Sequence, residues 1–223
     1  MSGAALDTAL PHALDAMGGG THRVPLIRVD CWDRPRPGNV LAAGCPRLAG
    51  GTEPPERRRS GIGFFDSGGV PVLDKQPEPA FREEDFTHAA KHAESSAFVA
   101  HVRRATAGGR TALNTHPFAM HGRVMAHNGG FGELAPLDEY LGSYASLVAG
   151  DTDSERYFAL ITQQADAHGG DVGARIAAAA RWIAANLPVS ALNTIVAAPG
   201  ELWSLRYPGL HGLHILERPA RPG

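Results

Sequence analysis

The chain has 223 residues, a formal net charge of −2 and 20% charged side chains. That length suffices for one sizeable core without forcing a second domain, and the near-neutral balance argues against a nucleic-acid partner and for a small-molecule one. No apolar run approaches the roughly 18 residues of a membrane span, no basic-then-apolar leader opens the chain, and Cys31 and Cys45 lack zinc spacing and are too few for a disulfide framework, so a soluble, cytoplasmic protein is expected.

Ala and Leu recur at helical spacing from Ala4 to Met17, and Gly18-Gly19-Gly20 ends the pattern. Residues 21 to 60 then mix Pro, Gly and Arg with no helical or strand period, an unusual length for a structureless stretch inside a compact domain. Three explanations stay open: a wrong element assignment, a disordered or inserted segment, and a reading frame displaced between about Val24 and Ser60, since GC-rich codons read out of frame yield Arg, Pro, Gly and Ala.

Order begins at Gly61. Gly61 to Phe65 predicts a strand, Asp66-Ser67-Gly68-Gly69 a hairpin turn and Val70 to Asp74 the partner strand. Glu83 to Glu94 predicts a polar helix with Phe86, Ala89, Ala90 and Ala93 on one face; His88 and His92, four apart on it, have no third ligand and are read as solvated. Ala97 to Val102 predicts a buried strand. A second apolar run, Arg123 to Ala126, delivers His127-Asn128-Gly129-Gly130 into a turn. Helices are expected at Leu134 to Leu141, Thr152 to His168 and Asp171 to Leu187, and strands at Ala191 to Ala198, Glu201 to Tyr207 and Gly212 to Glu217.

The loops that follow the two central strands carry residue types suited to gripping an amino acid with an amide or ester at one end. Arg103 can bind a carboxylate through two parallel hydrogen bonds, and Asn128 followed by Gly129 can aim a side-chain N–H and a backbone N–H at a developing oxyanion. Asp151-Thr152-Asp153-Ser154-Glu155 puts carboxylates at a helix start, where the dipole favours negative charge and an ammonium group can be met.

Four segments in this order, His101-Val102-Arg103-Arg104-Ala105-Thr106, Asn114-Thr115-His116-Pro117-Phe118, His127-Asn128-Gly129 and Asp151-Thr152-Asp153-Ser154-Glu155, resemble class II glutamine amidotransferases of the N-terminal-nucleophile hydrolase type. The resemblance runs from about Gly61 to Glu217, leaving residues 1–60 as a divergent segment and residues 218–223 as a tail. It implies an α+β fold, a four-layer αββα sandwich, and the activity of a glutamine amidotransferase or γ-glutamyl amide hydrolase working through an acyl-enzyme.

By the same resemblance Asn128 and Gly129 form the oxyanion hole, Arg103 and Thr106 hold the substrate carboxylate, His116 supports the pocket from behind, and Asp153 pairs with the ammonium group. The family's nucleophile is a cysteine that becomes the first residue once Met is removed and heads a buried strand. Here the corresponding residue is Ser2, which could use its own α-amino group as base but is followed by Gly3-Ala4-Ala5 rather than a strand. Position 104, aromatic in much of the family, is Arg. The alternative is therefore a catalytically inactive glutamine- or γ-glutamyl-binding module. The implied partner is glutamine or a γ-glutamyl compound, with a separate synthase subunit as a further partner and no cofactor. His121, His127, His211 and His214 complete no zinc motif, so no metal is expected.

Overall fold

Asp66 makes the first hairpin. Its Oδ1 accepts the N–H of Gly68 (2.9 Å) and of Val70 (2.8 Å), and Gly69, at φ 78°, reverses the chain. The turn joins β3 (Arg58–Phe65) to β4 (Pro71–Gln76), paired antiparallel from Ser60↔Gln76 to Phe65↔Pro71. On the other side of β3 lies β5 (Phe98–Arg104), also antiparallel, and β2 (Leu41–Ala42) runs parallel to β5, giving the four-stranded order β2-β5-β3-β4. The computed structural model describes residues 26–30, 41–42, 58–76, 95, 97–104, 111–169 and 171–209.

A second hairpin links β6 (Phe118–Met120) to β7 (Arg123–Phe131) through His121 and Gly122, whose φ values of 45° and 76° are those of a two-residue turn with both central residues left-handed. With β8 (Val189–Ala198), β9 (Glu201–Leu205) and β1 (Leu26–Asp30) these strands form an all-antiparallel sheet in the order β1-β9-β8-β7-β6.

Among the described residues three α-helices accompany it: α1 (Ala135–Leu141), α2 (Asp153–His168) and α3 (Val172–Asn186), with a 3-10 turn at Gly142–Leu147. The two long helices start at caps that the sequence supplies. The Thr152 hydroxyl accepts from Glu155 N at 3.2 Å, and the Asp171 carboxylate accepts from Gly173 N at 2.8 Å.

Apolar periodicity sorts these elements into layers. Tyr157, Phe158, Leu160 and Ile161 of α2 and Ile176, Ala180 and Ile183 of α3 bury against Met125, Leu192, Val196, Trp203 and Leu205 on one face of the five-stranded sheet. Val124, Ala126, Ile195, Ala197 and Leu202 on its other face meet Phe65, Ala97 and Val99 of the second sheet and the segment leading into it. Ile62, Phe98 and Ala100, on the outer face of the four-stranded sheet, are buried as well. The arrangement is an α+β sandwich of the αββα type, of which the described residues supply one helical layer and both sheets. The helix expected at Glu83 to Glu94, like those expected at Ala4 to Met17 and the strand at Gly212 to Glu217, lies outside them.

Close stacking of the sheets depends on Gly61 and Gly63. A Cβ on Gly61 would lie 2.3 Å from the carbonyl oxygen of His116, and one on Gly63 2.6 Å from Val124 Cγ1, so side chains there would wedge the layers apart.

Two expectations are corrected. Residues 21 to 60 were expected to carry no strand period, yet β1 and β2 fall there and β3 already begins at Arg58; Leu26-Ile27-Arg28-Val29-Asp30 alternates over only five residues, too few to stand out among prolines and glycines. His127-Asn128-Gly129-Gly130 do not form a turn. They continue β7, paired from His127↔Thr194 to Gly130↔Ala191, with a register irregularity only at Gly130/Phe131. Among the described residues no helix is long and apolar enough to cross a membrane.

Candidate functional site

β7 changes character along its length. Val124 to His127 are buried, whereas Asn128 and Gly129 are exposed. The side chains alternate about the sheet: His127 turns toward α2, so Asn128 belongs to the face that looks at the second sheet. On that face the apolar layer of Val124 and Ala126 gives way to a carboxamide.

His127 anchors the change. Its ring is 3% exposed and sits edge-on to Tyr157, with ring centroids 5.6 Å apart. Nε2 lies 3.2 Å from the carbonyl oxygen of Ala191, which can only accept, so Nε2 carries the proton and Nδ1 accepts the hydroxyl of Ser154 at 2.9 Å in the neutral ring. One side chain thus joins β7, β8 and the first turn of α2.

Gly129 admits no side chain. A Cβ would come within 2.0 Å of the Ala191 carbonyl oxygen, and φ is 156°. The same close approach of β8 is what keeps residues 128 to 130 in the ladder.

Asp153, the first residue of α2, reaches back to β7. Its Oδ2 accepts from Phe131 N at 3.2 Å, and its Oδ1 accepts from Ser154 N at 2.8 Å. The carboxylate therefore stands beside Gly130, at the positive end of a 16-residue helix, and remains partly exposed. Asn128, Gly129 and Asp153 are brought together on β7 and the α2 start.

A knot of buried polar groups holds the chain entering α2. Glu155, 5% exposed, accepts from Ala149 N (3.1 Å) and Gly150 N (2.7 Å), so this carboxylate is committed to the backbone. Asn114, 1% exposed, accepts from Asp151 N at 3.0 Å. Gly150 lies between them, where a Cβ would fall 2.3 Å from Asn114 Oδ1. Gly150→Ala is expected to destabilise the fold by about 1–3 kcal/mol, lowering the thermal midpoint by about 2–4 °C per kcal/mol; an unchanged midpoint in calorimetry would show that the knot yields freely.

His116 sits deeper than the Asn128 rim. It is 2% exposed, 4.4 Å from the His101 ring and 4.7 Å from Phe118, and so supports the inter-sheet packing rather than lining an opening. Next to it Lys75 donates to the Ala112 carbonyl (3.4 Å) over the Phe118 ring; burial holds its ammonium below the usual lysine range, partly offset by Glu155. For Arg103 the structure gives a register position, opposite Arg59 near the end of β5, two residues beyond His101. Thr106 and Ser2 lie outside the described residues.

Sequence reasoning missed Ser154, which links His127 to the helix start, and Asn193, the register partner of Asn128 on β8. The available signal for Asn193 was an asparagine interrupting the apolar run from Ala191 to Ala198.

Two stacked sheets under a helical layer, with a carboxamide-and-glycine rim near the end of a central strand, make this an α+β sandwich. The sequence model described as glutamine amidotransferases class-II matches residues 25–209, and the chain belongs to that family. It is 33% identical over 106 residues to the probable glutamine amidotransferase DUG3 of Saccharomyces cerevisiae, a match covering 45% of this chain and 30% of that protein. It is 31% identical over 101 residues to the isomerizing glutamine–fructose-6-phosphate aminotransferase of Xylella fastidiosa, covering 43% of this chain and 15% of that one. The chain thus spans under a third of the length of either relative. Among solved structures, a glutamine aminotransferase class-II domain protein from Silicibacter pomeroyi superposes with a TM-score of 0.48 at 19% identity, over 70% of this chain and 83% of that one. The glutamine phosphoribosylpyrophosphate amidotransferase of B. subtilis gives 0.47 at 16% identity, over 67% of this chain and 35% of that one.

Proposed function

We propose that the chain is a glutamine amidotransferase or γ-glutamyl amide hydrolase, releasing ammonia or an amine through an acyl-enzyme. The observation that carries this reading is the exposed Asn128-Gly129 pair at the end of β7, held rigidly by His127 and by the close approach of β8. Asn128 Nδ2 and the Gly129 N–H stabilise the oxyanion, and Asp153 takes the substrate ammonium. Arg103, with Thr106, takes the carboxylate, and His116 keeps the sheets at their spacing. Ser2 is the nucleophile that this reading assigns.

The domain that performs this chemistry takes in β1 and β2 as well as residues 61–217, because both strands pair into its sheets. Ammonia passes to a separate synthase subunit, or an amine leaves from a γ-glutamyl substrate, in the cytoplasm.

A second reading, an inactive glutamine-binding module, is favoured by one observation. Leu26, at the head of β1, pairs with Leu205, whose other neighbour is Thr194, so β1 begins at the same rim as Asn128, and the residue there is not a nucleophile. Ammonia release from glutamine by the purified chain, with Ser2→Ala beside it, separates the two. Turnover abolished by Ser2→Ala is the expected result for the enzyme; glutamine binding without turnover is that for the module.

A further inference from the structure

The face of the five-stranded sheet that looks at the second sheet is apolar through Val124, Ala126, Ile195 and Ala197 and then becomes polar in a single row, Asn128 opposite Asn193. Both side chains share that face. On β7 His127 turns the other way, to Ser154; on β8 Leu192 and Val196 pack under the helices. Directly opposed residues on one face hold their Cβ atoms about 4.5–5.5 Å apart, so the two carboxamides are immediate neighbours.

They differ in one respect. Asn128 is exposed, while Asn193 is 7% exposed and its Oδ1, fully buried, has no hydrogen-bond partner among the described residues. A buried carbonyl oxygen without a donor is unfavourable, and one beside an exposed rim is placed to take its donor from water, an ion or a ligand.

Resting on the amide-hydrolase reading, we infer that Asn193 reads the nitrogen of the scissile amide: its Oδ1 accepts the substrate's amide N–H while Asn128 donates to the oxygen of the same group. A carboxamide offers an acceptor oxygen and a donor N–H on one carbon, and the Asn128–Asn193 row offers the complementary donor and acceptor side by side. A γ-ester or a free carboxylate of glutamate presents no N–H and leaves Oδ1 unsatisfied. The pair thus makes the site selective for amides over esters of the same glutamyl group.

The test compares kcat/KM for glutamine with kcat/KM for the γ-methyl ester of glutamate, in the parent chain, in Asn193→Leu and in Asn193→Asp, which keeps an acceptor oxygen. In Asn193→Leu the amide-to-ester ratio is expected to fall roughly tenfold or more, and Asn193→Asp is expected to restore part of it. Thermal midpoints distinguish a structural role. Leucine replaces an unpaired buried oxygen with an apolar group of similar size, so stability should hold or rise while amide selectivity is lost. A ratio that does not change, or a midpoint that falls together with equal losses on amide and ester, overturns the inference. Should the parent turn over neither compound, the same ratio is read from dissociation constants. A parent that binds glutamine and the ester equally overturns the inference alone, whereas one that binds neither overturns the amide-hydrolase reading with it.

Discussion

Replacing Asn128 by alanine is expected to lower kcat for glutamine hydrolysis by about 10²–10³-fold while leaving glutamine affinity close to that of the parent. The reasoning rests on what holds the residue. The backbone of β7 at this point is paired with β8 from His127 through Gly130, the His127 ring is locked between Ser154 and Ala191, and no side chain can intrude at Gly129. A carboxamide on so fixed a frame costs no reorganisation as charge develops on the substrate oxygen, which is why its loss falls on the transition state more than on the ground state. The exposed position means that alanine leaves no cavity, so the fold should survive. Steady-state kinetics combined with a binding titration check both halves. A mutant as fast as the parent removes Asn128 from the mechanism.

Arg103→Ala carries the second large effect, expected in binding instead: a loss of about 2–3 kcal/mol, or roughly 30- to 150-fold in glutamine affinity. Arginine matches a carboxylate with two parallel N–H bonds, so Arg103→Lys should recover only part of the loss. The residue lies near the end of β5, two positions past His101, whose ring touches His116 just ahead of β6. β6 starts beside Met125, three residues before Asn128, so β5 and β7 both run out of the apolar layer toward one rim. Titration calorimetry with glutamine reads the effect under either function, since an inactive module needs the carboxylate contact as much as an enzyme does. Undiminished affinity in Arg103→Ala would refute the clamp.

What could be read in the residues followed from how local each signal is. Asp66-Ser67-Gly68-Gly69 contains its own turn chemistry, and Thr152 and Asp171 cap the helices they precede, so the first hairpin, α2 and α3 were placed almost to the residue. β1 was missed because five alternating residues say little without β9 beside them. The extension of β7 through Gly130 was missed because glycines read in sequence announce a turn, while here Gly129 admits the β8 backbone, a fact that resides in Ala191. Asn114 and Glu155 sit in recognisable motifs, yet their actual partners, Asp151 N and the amides of Ala149 and Gly150, are settled only by the folded loop. Asn193 had no motif at all; it acquires meaning from the residue across the ladder.

Among the described residues β6 is the last strand of the five-stranded sheet, only three residues long; the chain turns at His121-Gly122 and leaves His121 engaged by the Asp166 carboxylate of α2. A strand that short presents few unpaired backbone groups to a passing chain, and the hydrogen-bonded tie beside it hinders approach along the edge. The edge that β6 offers is thereby a poor one for growth. Stretching the edge, by substituting the two turn residues or inserting alternating apolar residues between Met120 and Arg123, would turn a terminus into a template on which copies could add one to another.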